Sequence, residues 1–94
     1  MTYKVTEEGN SSTVFLDGEI DMDKTEGAKE VIFPIIDSGK EVHLNLKDVK
    51  YMDSSGISVI VESSKRAKDK NTKVELKEVS QPVEKVLAMA RKFL

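Results

Sequence analysis

The sequence contains no cysteine and no tryptophan, one histidine, two prolines and no long apolar run. Without cysteine there is neither a disulfide framework nor a thiolate nucleophile, and a lone histidine leaves little for zinc or copper to bind. No transition-metal site and no cofactor are expected. The segment from Met1 to Ser12 lacks the apolar stretch of a signal peptide, and nothing approaches the roughly eighteen apolar residues of a membrane span. Direct membrane insertion is therefore not expected, and a cytoplasmic location is. An excess of either charge is missing too: 15 Lys and Arg stand against 17 Asp and Glu, a formal net charge of −2. No large positive field is available to draw the chain onto nucleic acid or anionic lipid. What is present suits a small folded unit, with 94 residues of which 38% are hydrophobic and 34% charged. A chain this size hides only about 60–65% of its unfolded surface, so one small core is the ceiling.

The local pattern sets the order of elements. Tyr3 and Val5 alternate with Lys4 and Thr6, and Val14, Leu16, Gly18 and Ile20 alternate after the break at residues 9–12, which reads as two strands joined by a hairpin. Ala28, Val31, Ile32, Ile35 and Ile36 then recur at helical steps over about 24–37, with Asp23 and Glu26 spaced as a capping box and Gly39 closing the helix. Pro34 inside that pattern predicts a kink or a break. Val42, Leu44 and Leu46 alternate with His43, Asn45 and Lys47, so strand 41–46 has one apolar and one polar face, and helices should cover only one side of the sheet. From Asp53 a helical stripe of Ile57, Ile60, Val61, Ser64 and Ala67 runs to Asn71, a short strand spans 73–78, and Ser80 and Pro82 open a last helix carrying Val83, Val86, Leu87, Ala90 and Leu94. The expected fold is α/β, a mixed β-sheet in the order β-β-α-β-α-β-α, one domain over 1–94. Strands 41–46 and 73–78 should be parallel, joined by a crossover helix.

In such folds ligands and reactive groups gather where strands end and helices begin. The turn Tyr51-Met52-Asp53-Ser54-Ser55-Gly56 is that place: it places two hydroxyls at a helix N-terminus. Asp, Ser and Gly are also ordinary capping residues, and capping alone accounts for them. The block Asp53-Ser54-Ser55-Gly56, following Leu44 to Met52 and preceding Ile57-Ser58-Val59-Ile60-Val61, resembles the signature of bacterial anti-sigma factor antagonists, stand-alone members of the STAS domain family (sulfate transporter and anti-sigma factor antagonist). Gly18-Glu19-Ile20-Asp21 resembles the end of that family's second strand, and the likeness covers nearly the whole chain.

The resemblance implies that Ser54 is a phosphoryl acceptor. Its kinase would be an anti-sigma factor of the histidine-kinase-like ATPase fold, and a serine phosphatase would reverse the step. The unphosphorylated form would bind the anti-sigma factor and release a sigma factor. The resemblance also implies that Ser55 caps the helix, that Gly56 makes the tight turn, and that Asp21 and Asp23 lie close to Ser54 and, with Asp53, orient the hydroxyl or the partner. Antagonists of this kind usually continue past the last helix, whereas this chain ends at Arg91-Lys92-Phe93-Leu94. An accessory subunit docking on a transporter ATPase or a signalling scaffold is the alternative.

Around the turn, Met22, Met52, Val59 and Phe33 either form an apolar contact patch or are scattered apolar residues, and Ser58 and Glu62 form either a partner footprint or a solvated face. His43 is expected to be exposed, and the basic run from Lys65 to Lys73 to complement a helix C-terminus. An enzyme is not expected. A hydrolase elbow would read G-x-S-x-G with a histidine base, and no Walker-type loop occurs.

Overall fold

A computed structural model describes residues 3–91, and the side chains of 3–89. The order is β1 (Lys4–Glu8), β2 (Ser11–Ile20), α1 (Thr25–Asp37), β3 (Glu41–Met52), α2 (Ser54–Asp69), β4 (Val74–Lys77) and α3 (Gln81–Arg91). The strands form one sheet in the order β1-β2-β3-β4. β1 is antiparallel to β2, while β2 with β3 and β3 with β4 are parallel, so the sheet is mixed as the pattern predicts.

One face of the sheet is buried. Val14 and Leu16 of β2 and Val42, Leu44 and Leu46 of β3 join Ala28, Ile32 and Ile36 of α1 in the core. The opposite face carries register partners of another character: Lys4 beside Phe15, Thr13 beside His43, and His43 beside Glu75. These are half-buried or exposed, the mark of a sheet without a complete helical layer on that side.

Strand β3 runs six residues beyond the expected end at 46. It has 12 residues against 10 in β2, and the difference is taken up at two register shifts, between Phe15 and Asp17 and between Gly18 and Glu19. Each shift adds a residue to β3 and reverses its alternation, so Lys47 and Asp48 look like a loop in sequence while Val49 and Met52 return to the core. Gly18, at φ +70, supplies the left-handed backbone at the second shift.

Three local expectations change. α1 continues through Pro34 without a break: the carbonyl of Glu30, which loses its donor, belongs to a solvent-exposed residue, so water can satisfy it. The capping box at Asp23 and Glu26 does not form, since Lys24 is the N-cap and no side chain caps the helix. The buried stripe of α2 is Gly56, Val59, Ile60, Ser63 and Ala67, rotated about one position from the expected one, because two small residues let the helix sit close to the sheet. Asn71, at φ +58, ends that helix as expected. Ser80 starts α3 by accepting the Glu84 amide on its carbonyl, while its hydroxyl donates to Val49 O of β3 at 2.7 Å and ties the two elements together. Val83 and Leu87 are buried, whereas Ala90 and Leu94 lie outside the described side chains.

Candidate functional site

β2 and β3 end together. Ile20 pairs with Met52 at the last step of the ladder, so Asp21 and Asp53 are the first residues past the two paired strand ends. The first turn of α2 is pressed onto this edge. A Cβ built on Gly56 would collide with Met52 Cγ and come within 2.9 Å of the Ile20 carbonyl oxygen. Gly56 is needed for close approach of helix to strand, and its φ is not positive, which replaces the tight-turn role expected for it.

Asp53, in extended conformation, is the N-cap of α2. Its Oδ1 accepts from the amides of Ser55 at 2.9 Å and Gly56 at 3.3 Å, and its carbonyl accepts from Ile57 at 3.1 Å. The cap is thus the Asp53 carboxylate and not the Ser55 hydroxyl, and it occupies the amides that an anion at this helix end would otherwise use. Ser54, the first residue of α2, is exposed, and Ser55 is half-buried. Ser58 Oγ donates back to Ser54 O at 3.0 Å, and Glu62 forms an ion pair with Lys29 of α1 at 3.0 Å.

On the β2 side, Asp21 organises the turn into α1. Its Oδ1 accepts from the Asp23 amide at 3.0 Å and its carbonyl from the Lys24 amide at 3.0 Å, while Thr25 Oγ1 donates to Met22 O at 3.0 Å. Asp23 is exposed and Met22 projects into solvent at 74% exposure. Tyr3 is buried near this turn; burial raises its phenol pKa, and the charges of Asp17 and Asp21 push it in the same direction.

The structure divides the expected contact residues. Asp21 and Asp53 each follow one of the paired strand ends, with Met22 and Asp23 after the first and Ser54 and Ser55 after the second. Met52 and Val59 do not belong to a surface patch: both are 1% exposed and fill the core beneath the turn. Phe33 lies away in the α1–α2 groove with the Arg66 guanidinium 4.5 Å from its ring centre. The exposed aromatic at this end of the sheet is Tyr51, 49% exposed and paired with Glu19. Alternation identifies it only once β3 is known to reach Met52. Lys29 carries no signal in the sequence, where nothing couples it to Glu62.

Comparison with known proteins agrees with this architecture. The STAS domain family model matches residues 2–93. An anti-sigma-B factor antagonist of Bacillus subtilis is 32% identical over 77 residues, covering 82% of this chain and 71% of that protein. The structure of the anti-sigma factor antagonist SpoIIAA in its unphosphorylated form superimposes with a TM-score of 0.82 at 20% identity, over 96% of this chain and 81% of that one. A crystal structure of Mglu matches at 24% identity with a TM-score of 0.72, over 83% of this chain, which spans only 20% of that much longer one. The chain belongs to the STAS domain family, and within it to the anti-sigma factor antagonists by sequence likeness. Among the described residues no helix is long and apolar enough to cross a membrane.

Proposed function

We propose that this protein antagonises an anti-sigma factor and is switched off by phosphorylation of Ser54. The unphosphorylated form binds, in the cytoplasm, an anti-sigma factor that is also a serine kinase of the histidine-kinase-like ATPase fold, and a sigma factor is released without contact between this chain and DNA. A serine phosphatase restores the binding form. Ser54 is the acceptor and Asp53, Asp21, Met22, Asp23 and Ser55 surround the contact, with Ser58 and Glu62 continuing it along α2. Met52 and Gly56 contribute from beneath by fixing the helix on the strand ends.

The observation that carries this reading is the exposed hydroxyl on the first residue of a helix whose cap is already a carboxylate. Phosphorylation adds about −1.5 to −2 charge and three acceptor oxygens. Since Asp53 holds the amides of Ser55 and Gly56, the phosphate gains little from the helix end and stands beside Asp53 and Asp21. Like charges then face a partner across a desolvated surface, which costs several kcal/mol in typical interfaces. The fold need not change.

Incubation with ATP and the cognate anti-sigma kinase should add one phosphate to the intact mass, and Ser54→Ala should take up none. Stoichiometric phosphorylation of Ser54→Ala would place the acceptor elsewhere. No phosphate on the natural chain, with co-purification of a transporter ATPase, would favour the accessory-subunit alternative.

A further inference from the structure

The open face of the sheet carries a second concentration of chemistry, at the opposite end of β3 from Ser54. Glu41 and His43 are alternate residues of β3 and share a face, and His43 pairs in register with Glu75 of β4. One ligand atom from each of the three lies within 4.8 Å of the other two, and all three residues are half-buried. A cation already sits among them. Lys73 Nζ is 2.8 Å from Glu75 Oε1 and 3.4 Å from Glu41 Oε1. Lys77 Nζ lies 3.0 Å from Glu75 Oε2, so two ammonium groups hold this carboxylate.

His43 is the group that the lysine does not serve. Its Nε2 atom is buried and makes no hydrogen bond among the described residues, although Glu41 Oε1 stands 3.2 Å away. A metal ion would need the ring proton on Nδ1, which frees the Nε2 lone pair to bind it. An ammonium can neutralise the carboxylates, but a metal ion can neutralise them and accept the imidazole lone pair as well.

We propose that Glu41, His43 and Glu75 form a binding site for a divalent cation of the zinc class, which enters by displacing the Lys73 ammonium. One imidazole and two carboxylates with an open fourth position suit zinc, whereas magnesium and calcium prefer oxygen ligands throughout. Lys73 is mostly exposed, so its side chain can swing into water. The bound ion would clip β4, an edge strand of four residues, onto β3. This site is independent of the switch at Ser54.

The test is calorimetric titration of the full chain with Zn²⁺ alone, combined with NMR of the imidazole, which is unambiguous because the sequence has a single histidine. The expected result is one zinc per chain, a shifted His43 ring signal, and affinity lowered at least about tenfold in His43→Gln and Glu75→Gln. Lys73→Ala should bind more tightly than the natural chain. Far-UV circular dichroism checks that each variant is folded. The proposal is overturned by an unmoved ring signal at zinc saturation, by unchanged affinity in folded His43→Gln, or by Lys73→Ala binding no better.

Discussion

Replacing Gly56 with alanine sets two effects against each other, and the structure decides which prevails. Alanine is the better helix former by about 1 kcal/mol in a helix interior, and less in a first turn, so propensity alone predicts a more stable protein. The new Cβ, however, would collide with Met52 Cγ and lie 2.9 Å from the Ile20 carbonyl oxygen and 3.2 Å from Ile20 Cγ2. Met52 can rotate away. The Ile20 carbonyl is backbone in a paired strand and cannot, so the start of α2 must lift from the end of β2. Overpacking of this kind costs about 1–3 kcal/mol, with the upper half expected where backbone is the obstacle. A net loss of about 1–2 kcal/mol remains, which for a domain of this size lowers Tm by about 5–15 °C. Thermal unfolding followed by circular dichroism, with urea midpoints as a second measure, checks this. A Gly56→Ala protein as stable as the natural chain, or more so, would refute the close approach and with it the placement of Ser54 against the strand ends.

Asp53→Ala removes the carboxylate that accepts from Ser55 and Gly56 and should cost about 1 kcal/mol in urea unfolding, whereas Asp53→Asn and Asp53→Ser should retain most of that stability. If Asp53→Ala left the midpoint unchanged, the capping role would be wrong. Between the helices, Arg66 donates to both carboxylate oxygens of Asp37 at 2.8 and 2.7 Å and its guanidinium covers Phe33. The hydrogen bond from Arg66 holds the Asp37 pKa below its ordinary 3.8. A depressed carboxyl pKa contributes stability that is present above the unfolded pKa and lost as pH falls through the folded one. Asp37→Asn should therefore lower Tm at neutral pH, and its deficit should shrink as pH drops below about 4. Arg66→Lys should also lower Tm at neutral pH, because an ammonium cannot reproduce the paired geometry.

The periodic parts of the molecule were legible in the sequence. Alternation at Val42, Leu44 and Leu46 and helical spacing at Ala28, Ile32 and Ile36 follow from burial on one face, and the structure buries these residues. Legibility failed where an extra residue shifts phase or where a small residue hides a contact. The two register shifts in β3 disguised Val49 and Met52, and so made a core methionine look like part of a surface patch. Gly56 and Ser63 look neutral in a hydropathy pattern, yet their small size brings α2 down onto the sheet. The turn from Asp53 to Gly56 was found by its place between strand and helix, but its internal roles were not, because which oxygen meets which amide is decided by backbone conformation. The cluster of Glu41, His43 and Glu75 is illegible for another reason: the parallel pairing of β3 with β4 is expected, but the register that sets Glu75 beside His43 is not fixed by periodicity.

Under the proposed function, a phosphate on Ser54 releases the partner by charge, without refolding. Titrating the cognate anti-sigma factor against the natural chain before and after stoichiometric phosphorylation, with amide NMR spectra of both forms, tests it directly. Affinity should fall at least about tenfold, corresponding to about 1.4 kcal/mol or more, while amide shifts stay confined to the neighbourhood of Ser54. Equal affinity for the two forms, or shifts spread through the sheet, would contradict it.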